Sequence, residues 1–354
     1  IMTENACNFI NPITFETLTG NKCLVDTFDR NFQFNVEHVS LAKLADIFLV
    51  APASADVIGK IANGIADDML TTTIMACKCP KLISPAMNTN MFTNPIVQDN
   101  LKKLEHYGYE IIQPDSGYLA CGDTGAGKMP SEQVLLNYIL RTIAKDKDMT
   151  GIKLTVTAGP TREKLDPVRF LSNNSTGKMG YAIAKMAMLR GADVTLISGK
   201  VSLEPVPFVK MVDIVSAEDM YNAVIKSAKD ADIIIKAAAV ADYRPSDVSD
   251  EKIKKKDGDM SIPLERTKDI IGTLGSSKRD GLFLCGFSME TEHMLDNSKV
   301  KLTKKNLDMI VANNVKVAGA GFGTDTNVVT VITKDAVEEL PMMSKEEVAD
   351  ALLD

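Results

Sequence analysis

The sequence has little of what a metal centre, a disulfide framework or a membrane anchor requires. It contains three histidines, and its six cysteines form no C-x-x-C pair, so no zinc site is indicated. The chain is long enough to bury a hydrophobic core, so disulfides are neither indicated nor needed. No apolar run reaches the roughly 18 residues of a membrane-spanning helix, and nothing resembles a signal peptide. The sequence therefore predicts a cytoplasmic protein with no membrane partner.

Length and charge narrow the class of protein further. A net charge of -7 argues against a nucleic-acid partner, because such a protein needs a basic surface to displace counterions from phosphates. At 354 residues the chain exceeds the size at which one hydrophobic core keeps growing. The polar, lysine-rich segment 145–150 is typical of a linker. We therefore predict two domains, at residues 1–148 and 149–354.

The pattern of apolar runs predicts an α/β fold. Short buried strands are expected at 46–50 and 81–84, each ending in a polar loop before a helix, and a glycine-rich loop at 115–130. Beyond the linker, the expected strands are 154–157, 194–197, 233–235, 282–285, 309–311 and 328–332, with helices between most of them. This alternation predicts two doubly wound, Rossmann-like domains.

Residues 153–180 look like the entry to a nucleotide site. A β-branched apolar run ends at Ala158-Gly159-Pro160-Thr161, and a helix is expected to begin near Gly177. Unpaired amide groups and the positive end of a helix dipole suit such a place to phosphate. By contrast, 122–128 has P-loop spacing but lacks the following Ser or Thr. We interpret it as a flexible flap carrying Cys121.

Taken singly, several candidate site residues have ordinary explanations. His38 could cap or pack a helix, Ser54 and Asn88 could cap helices, and Cys121 could be an inert thiol. The lysine run 252–256 could be a solvated face or an active-site lid. The catalytic interpretation is favoured because the first four residues could converge on one crevice at the ends of parallel strands.

Motifs in both halves of the chain resemble known enzymes. HVSLAKLAD (38–46), PASAD (52–56), PAMNTNMF (85–92) and ACGDTGAGKM (120–129) resemble flavin-containing cysteine decarboxylases. TAGPTRE, SNNSTGKMG, AAAVADYRP, EKIKKK, CGFSMET and KKNLDMIVANN resemble phosphopantothenate-cysteine ligases. Together they resemble the bacterial bifunctional phosphopantothenoylcysteine decarboxylase/phosphopantothenate-cysteine ligases of coenzyme A biosynthesis. That family begins with a strand and a Gly-rich turn for the FMN phosphate, and this sequence is expected to begin after them.

The resemblance implies an FMN-dependent decarboxylation in a flavodoxin-like first domain. The substrate thiol would be oxidised to a thioaldehyde, carbon dioxide would leave to give an enethiolate, and the electrons and a proton would return. Asn88 would hold the departing carboxylate, His38 would orient or deprotonate the substrate, and Cys121 would protonate the enethiolate. Thr3 and Ser54, with Asn88, would contact the flavin.

The resemblance also implies a CTP-dependent ligase in the second domain. The carboxylate of 4′-phosphopantothenate would attack the α-phosphate of CTP, and the cysteine amine would then displace CMP from the acyl-cytidylate, with Mg²⁺ offsetting charge. Asn173 would hold the acyl-cytidylate, and Lys252 is predicted to be catalytic. The implied nucleotide-binding residues are Asp242, Lys252, Lys268, Asp269, Ile270, Ile271, Phe287, Lys301 and Lys305.

The resemblance leaves the metal ligands unassigned and implies a homo-oligomer, built from trimers and dimers into a dodecamer. Two rival functions are disfavoured by the sequence. A nicotinamide-dependent oxidoreductase is disfavoured because Gly159-Pro160-Thr161 is not G-x-G-x-x-G. A non-catalytic flavin-fold regulatory subunit is disfavoured because His38, Asn88 and Cys121 occur together.

Overall fold

The chain forms two compact units, residues Ile1–Ala144 and Lys145–Asp354. The structure is a computed structural model that describes residues 1–28, 37–119, 122–255, 260–290, 294–314, 321 and 323–354. We call the two parts unit 1 and unit 2 and describe each by itself. Within the described residues, no helix is both long and apolar enough to cross a membrane.

Unit 1 combines a three-stranded parallel sheet, a β-hairpin and flanking helices. The sheet has the order β1-β2-β3, and β4 pairs with β5 in the hairpin. Its strands are β1 (Phe48–Ala53), β2 (Lys81–Pro85), β3 (Glu110–Ile111), β4 (Asp115–Tyr118) and β5 (Thr124–Lys128). After a 3-10 helix at Asn5–Asn8, its helices are α1 (Pro12–Thr19), α2 (Glu37–Leu44), α3 (Ala55–Ala62), α4 (Met69–Ala76), α5 (Thr89–Phe92), α6 (Pro95–His106) and α7 (Glu132–Ile143).

Local sequence explains where these helices begin. Ser54 accepts a hydrogen bond from the Val57 amide at the start of α3, and Asp68 forms a capping box with Thr71 at the start of α4. The buried side chains of α3 and α6 pack in one cluster with those of β1 and β2, including Ile58, Leu104 and Ile83. Burial of these apolar faces, more than helix propensity, stabilises such short helices.

Two expectations for unit 1 are wrong. β1 spans Phe48–Ala53, whereas the apolar run predicted a strand at 46–50. The stretch 115–130 is largely the β4–β5 hairpin and not a loop. Alternating small residues such as those of TGAGK give little β-propensity, so the apolar pattern did not reveal β5. Its strand conformation comes from pairing with β4.

Unit 2 is built on one large mixed sheet. Its helices are α8 (Lys178–Leu189), α9 (Ala217–Ser227), α10 (Ile270–Ser276), α11 (Met294–Lys304) and α12 (Lys345–Ala351). The strands are β6 (Lys153–Ala158), β7 (Glu163–Lys164), β8 (Phe170–Leu171), β9 (Asp193–Ser198), β10 (Lys210–Asp213), β11 (Ile233–Lys236), β12 (Tyr243–Pro245), β13 (Leu264–Arg266), β14 (Phe283–Glu290), β15 (Met309–Asn314), β16 (Thr326–Asn327), β17 (Val329–Thr333), β18 (Val337–Glu339) and β19 (Met343–Ser344).

The order of strands in this sheet is β10-β9-β6-β11-β14-β15-β17-β18. From β10 to β15 all pairs are parallel, and the order is that of a dinucleotide-binding Rossmann fold, whose switch point lies between its first and fourth strands, here β6 and β11. Strands β17 and β18 extend the sheet antiparallel. The prediction of an α/β fold with parallel sheets is confirmed, whereas β10 and β18 were not anticipated.

Helices cover both faces of the sheet in unit 2. One buried cluster joins β6 and β9 to α8 and α12, and a second joins β11 and β14 to α9, α10 and α11. Leu154, Val156 and Ala158 of β6 are each at most 1% exposed. A strand buried on both faces is a rigid base for a site at its carboxyl end.

Candidate active sites

The main cleft of unit 2 lies at the carboxyl ends of β6 and β11. Strand β11 pairs in register with β6, and in open α/β sheets a ligand crevice opens where neighbouring connections diverge. Two cavities of about 360 Å³ and 310 Å³ occur here, and both are lined by Lys236, Val240 and Asp242. The shared residues make the two cavities parts of one cleft.

One part, which we call the helix cavity, is bounded by Ser175–Gly180 at the start of α8. Gly177 has φ 79° and precedes a helix of 12 residues, so unpaired amide groups and the dipole favour an anion here. A Cβ at Gly180 would lie 2.6 Å from the Cβ of Ala158, which shows how closely α8 approaches the end of β6.

Asn173 holds the loop ahead of α8 in place. Its Nδ2 donates to the Ala239 carbonyl at 2.7 Å, and its Oδ1 accepts from the Ser175 amide at 3.0 Å. Ala239 and Ser175 both line the helix cavity, although Asn173 itself is exposed and is not among the lining residues. In this structure Asn173 therefore positions the walls of the cavity.

Lys345 and Asn313, which also line the helix cavity, are buried. Lys345 is 6% exposed and donates to the Gly321 carbonyl at 2.9 Å, and its pKa is lowered by burial and by the charge of Lys178. Lys178 forms an ion pair with Asp325 at 2.7 Å. Asn313 is 9% exposed, and among the described atoms its Oδ1 has no hydrogen-bond partner. A buried acceptor of this kind is suited to a donor on a ligand.

The other part, which we call the cation cavity, is lined by Lys236, Arg266, Lys268 and Lys305 together with Asp242 and Asp269. Lys305 Nζ lies 3.0 Å from Asp269, whose Oδ1 also accepts from the Gly272 amide at the start of α10. Although burial opposes ionisation of Asp269, the Gly272 amide and Lys305 hold its pKa below the usual value. Lys268 forms an ion pair at 2.7 Å with Glu218, a residue that does not line the cavity.

Lys236 ends β11 and faces both cavities. Its pKa is lowered, chiefly by burial and then by the positive charge of Lys305, while Asp269 and Asp242 oppose that change. Burial and a neighbouring cation both destabilise the charged form of a lysine, and an anion that enters the cavity stabilises that form. Lys236 is therefore a group suited to bind an anion at the junction of the two cavities.

The structure brings most of the sequence-predicted ligase residues together. Asp242 lines both cavities, Phe287 lines the helix cavity, and Lys268, Asp269, Ile270 and Lys305 line the cation cavity. Lys301 Nζ donates to Ser288, a lining residue, at 3.3 Å. Ile271 is buried in the core below the site and is 7% exposed.

Lys252, like Asn173, Ile271 and Lys301, lies outside the lining of both cavities, and it has no described contact with a lining residue. Its side chain is exposed, and the next residue, Ile253, donates its amide to Asp166 at 3.1 Å and accepts from Arg169. This segment is therefore tied to the turn between β7 and β8. Residue 256, at the end of the lysine run, lies outside the described residues.

Sequence reasoning missed Lys236, Arg266, Lys178, Lys345 and Asn313. One signal was available for Lys236, because a lysine directly after a buried Ile-Ile-Ile strand marks the strand end where ligands bind. The other four residues come from distant segments, β13, the start of α8, the start of α12 and β15. Only the folded chain brings them to one cleft.

In unit 1, Ser54 and Asn88 follow the carboxyl ends of β1 and β2, which are parallel neighbours. The Ala86 amide donates to the Ala53 carbonyl at 3.0 Å and joins the two strand ends. Asn88 accepts from the Asn90 amide at 2.8 Å and donates from Nδ2 to Asp123 at 3.1 Å. Asp123 adjoins β5, so the loop after β2 is fastened to the hairpin.

The hairpin fits closely against this loop at two of its glycines. A Cβ at Gly127 would lie 2.1 Å from the Met87 carbonyl oxygen, and one at Gly125 would lie 2.4 Å from Thr89 Oγ1. Contacts this short do not occur for real Cβ atoms, so the two glycines permit close packing. The prediction that this segment is a flexible flap stays a prediction.

The remaining predicted decarboxylase residues are dispersed. His38 is half-buried on α2, a helix that packs against α4, and Thr3 Oγ1 accepts from the Ala6 amide at 3.2 Å at the 3-10 helix. Cys121, the predicted proton donor, lies outside the described residues. The described residues contain no group of three or more His, Cys, Asp or Glu side chains arranged to hold a metal ion.

Comparison with known proteins assigns both halves of the chain. The sequence model of the flavoprotein family matches residues 1–144, and that of the DNA/pantothenate metabolism flavoprotein C-terminal domain matches residues 149–354. The coenzyme A biosynthesis bifunctional protein CoaBC of Bacillus subtilis (strain 168) is 47% identical over 357 residues, covering 100% of this chain and 88% of that protein.

Two further similarities bear on the assignment. A cysteine/cysteine sulfinic acid decarboxylase from an unknown prokaryotic organism is 42% identical, with 96% of each chain covered. The crystal structure of the C-terminal domain of a CoaBC protein is 45% identical with a TM-score of 0.51, covering 59% of this chain and 95% of that one. The chain therefore belongs to the family of bifunctional coenzyme A biosynthesis proteins, flavoproteins that combine a phosphopantothenate-cysteine ligase with a phosphopantothenoylcysteine decarboxylase.

Proposed function

We propose that unit 2 uses CTP to join 4′-phosphopantothenate to cysteine through an acyl-cytidylate, and that unit 1 decarboxylates the product with FMN. One observation carries the ligase proposal. The helix cavity and the cation cavity are both suited to anions, and they meet at Lys236 and Asp242. A reaction that joins a carboxylate to a nucleotide phosphate needs two such places side by side.

The first half-reaction brings two anions into contact, so it needs positive charge. Unit charges 4 Å apart interact by about 4 kcal/mol at the effective dielectric of a protein surface. Lys236, Arg266 and Lys305 line one cavity and offset this repulsion along the triphosphate. Lys268 also lines this cavity and Lys301 lies next to the cleft, and both already have polar partners.

Magnesium would accompany the nucleotide. Mg²⁺ is generally held by one or two carboxylates together with substrate phosphates, and it retains several waters. Asp242 and Asp269 line the cation cavity and supply two such carboxylates. The ion would neutralise charge on the pyrophosphate as it leaves.

Neutral groups of the helix cavity would orient the acyl-cytidylate. The α8 amides supply donors for an anionic oxygen, Asn313 Oδ1 supplies a buried acceptor, and Phe287 supplies a ring. Asn173 would act close to the intermediate by fixing Ala239 and Ser175. Lys252, which is exposed outside both cavities, would reach the nucleotide only through movement of its segment.

The decarboxylase proposal rests on the strand ends of unit 1. FMN supplies a reversible acceptor of two electrons, which a cysteinyl carboxylate needs before it can leave. Ser54 is exposed at the end of β1, and its oxygen accepts an amide hydrogen, as does that of Thr3, so each hydroxyl proton remains for a flavin acceptor. Ser54 would make this contact at the end of β1, and Thr3 would make it from the 3-10 helix.

Asn88 would bind the substrate carboxylate. Its Nδ2 already donates to the carboxylate of Asp123, which is the kind of contact that a substrate carboxylate would make. Cys121 would donate the proton to the enethiolate, and His38 would orient the substrate. Replacing Cys121 with Ser should stop decarboxylation at an oxidised intermediate; product formed at the normal rate would remove Cys121 from this role.

Self-association and a cytoplasmic location also remain proposals. Unit 1 exposes large apolar side chains, including Phe9 at 92% and Leu18 at 78%. Contact with further copies of the chain would bury these side chains, in line with the homo-oligomer of the dodecameric type predicted from the sequence. Light scattering of the purified protein measures the stoichiometry, and a monomer at micromolar concentration would contradict the proposal.

The experiment for the ligase is pyrophosphate release by the full chain. With Mg²⁺, CTP and 4′-phosphopantothenate, but without cysteine, we expect one burst of pyrophosphate, and adding cysteine should give continuous release with CMP. Omitting 4′-phosphopantothenate is the control. Release without the acid, or an identical rate with ATP, would contradict an acyl-cytidylate specific to CTP. A separate test of unit 1 measures the rate of carbon dioxide release, which should rise in proportion to the flavin content of the protein.

A further inference from the structure

The wall of the unit 2 cleft that carries Asp242 is fastened to the end of β6 by a buried threonine. Thr161 follows β6, is 0% exposed and lines neither the helix cavity nor the cation cavity. Its Oγ1 accepts a hydrogen bond at 3.0 Å from the amide of Ala241, the residue before Asp242. Thr161 can therefore affect the cleft only through the residues that it holds.

The contact between Thr161 and Ala241 continues the pairing of β6 with β11 beyond the ends of these strands. The Ala239 amide donates to the Gly159 carbonyl at 3.0 Å, and the Ala239 carbonyl accepts from the Thr161 amide at 3.2 Å. The Ala241 amide comes next along this row, and its acceptor is a side chain instead of a backbone carbonyl. The hydroxyl of Thr161 thus completes the row at the point where the chain enters the cleft.

A second threonine holds the same stretch of backbone from another segment. Thr267 Oγ1 donates to the Ala241 carbonyl at 2.7 Å, and the Thr267 amide donates to the Asp242 carbonyl at 3.0 Å. The peptide groups on both sides of the Asp242 Cα are therefore held. Asp242 is exposed and lines both cavities, so the position of its carboxylate in the cleft depends on this backbone.

Thr161 also joins this wall to the loop ahead of α8. Its carbonyl accepts from Ser172 Oγ at 2.8 Å, and the next residue, Asn173, donates to the Ala239 carbonyl at 2.7 Å. Thr267 lines the cation cavity and is thus open to a ligand, whereas Thr161 is not. Thr161 is therefore the residue whose replacement isolates an indirect effect on the cleft.

The chemistry of this contact requires a hydroxyl group. Valine has nearly the shape of threonine, but it cannot accept a hydrogen bond, so Thr161→Val would leave the Ala241 amide without its acceptor. An unpaired amide is costly away from water, and the backbone before Asp242 would turn to satisfy it. Serine retains the oxygen, so Thr161→Ser should keep both the contact and the backbone.

We propose that Thr161 is a positioning residue for the ligase reaction, which holds the Asp242 carboxylate where it meets the nucleotide and its metal ion. The proposal rests on the proposed function of unit 2, in which Asp242 lies at the junction of the two cavities. Thr161 touches no reacting atom. Its effect on the reaction passes through Asp242.

The test is a double-mutant cycle on the burst of pyrophosphate released by the full chain with Mg²⁺, CTP and 4′-phosphopantothenate. Thr161→Val should slow the burst about tenfold, whereas Thr161→Ser should stay within about twofold of the wild type. In an Asp242→Asn background, Thr161→Val should slow the burst by less than about twofold, because the carboxylate that it positions is gone. Multiplied effects in the double variant, or a serine variant as slow as the valine variant, would overturn the proposal.

Thr155→Val is the matched control. Thr155 lies in β6 and is 2% exposed, and its Oγ1 forms a hydrogen bond of 2.6 Å with Ser227 Oγ of α9. This variant also removes a buried hydrogen bond, but one that does not reach the wall of the cleft, so its burst should stay within about twofold of the wild type. Equal slowing in Thr155→Val and Thr161→Val would overturn the proposal, because loss of stability would then explain both.

Hydrogen exchange of the Ala241 amide is a readout that does not depend on catalysis. It should be at least about tenfold faster in Thr161→Val than in the wild type, and unchanged in Thr155→Val. Unchanged exchange in Thr161→Val would overturn the proposal whatever the rates of the burst. Failure of the proposed function would appear in the wild type, as absence of CTP-dependent pyrophosphate, whereas failure of the role of Thr161 would appear only in the variants.

Discussion

The two units form their candidate sites in different ways. In unit 2 the site follows from topology, because β6 and β11 meet at the switch point of the sheet and their carboxyl ends open into the cleft. In unit 1 the sheet brings two loops together, but the shape of the site depends on how the β4–β5 hairpin fits against Met87 and Asn88. A site of the first kind tolerates local change better than one of the second kind.

The largest effect is expected where the hairpin fit of unit 1 is broken. In Gly127→Ala the new Cβ would meet the Met87 carbonyl at 2.1 Å, and the residue would keep a φ of 139°, so unit 1 should lose about 3 kcal/mol of stability. Decarboxylation should be lost while CTP-dependent pyrophosphate release remains. Hydrogen exchange of β2 and β6 measures the two units separately.

Gly117→Ala is the matched control for that variant. Gly117 lies in the same hairpin, and the nearest atom to its Cβ would be Lys128 Cδ at 4.0 Å. Its stability should change by less than about 0.5 kcal/mol. Equal losses in the two variants would mean that the close fit against Met87 is not what stabilises unit 1.

The next effect concerns the polar contact that joins loop and hairpin. In Asn88→Ala the bond to Asp123 and the α5 cap are both lost, so decarboxylation should fall by about 100-fold or more, with about 1 kcal/mol of lost stability. Asn94→Ala removes a similar cap, at α6, where Oδ1 accepts from the Ile96 amide at 2.9 Å. The Asn94 variant should keep its decarboxylase rate; a similar fall in both would make Asn88 merely structural.

A smaller effect on rate is expected at the junction of the unit 2 cavities. Asp242→Asn keeps the shape of the side chain but removes a negative charge near the proposed Mg²⁺ position, so pyrophosphate release should slow by about 10- to 100-fold. Raising the Mg²⁺ concentration should recover part of the rate. Decarboxylation of added phosphopantothenoylcysteine should be unchanged, and a parallel loss of both activities would contradict independent sites.

The smallest effect is a pH dependence of the stability of unit 2. The folded-state pKa of Cys285 is raised to about 12 from an ordinary value of 9.0, because the thiol is buried. Its stabilising contribution is therefore complete below about pH 9 and is lost as the pH rises toward 12, since the unfolded thiol ionises first. Cys285→Ala should reduce this loss by about 1.4 kcal/mol per pH unit at most. Urea unfolding across this range measures it.

The same contrast between units explains what the sequence revealed. The strand at 154–157 and the helix after Gly177 were predictable because strand–helix alternation places loops at one edge of the sheet, whereas Asp242 was implied only by the family resemblance of its motif. The close packing at Gly125 and Gly127 was not predictable, because a glycine that permits close packing looks the same in sequence as one that permits motion.

Charge was the other feature that the sequence concealed. Lys252 and Lys305 both occur in lysine-rich stretches, yet only Lys305 lines the cation cavity. Lys236 looked like the end of a buried strand, although it faces both cavities. The position of Lys252 outside the cavity follows from tertiary contacts that the sequence does not show. One of them is the hydrogen bond that the amide of the next residue, Ile253, donates to Asp166.

The central claim, that the cleft at the ends of β6 and β11 is the CTP site, is tested most directly by CTP affinity. Titration calorimetry would compare the wild-type full chain with Lys305→Gln, which removes a cavity cation, and Lys299→Gln, whose lysine lies on α11 and lines a separate cavity. We predict that Lys305→Gln binds CTP roughly tenfold more weakly than the wild type, a loss of about 1.4 kcal/mol of binding free energy. Lys299→Gln should bind CTP with the wild-type affinity. Equal affinities in all three proteins would contradict the claim.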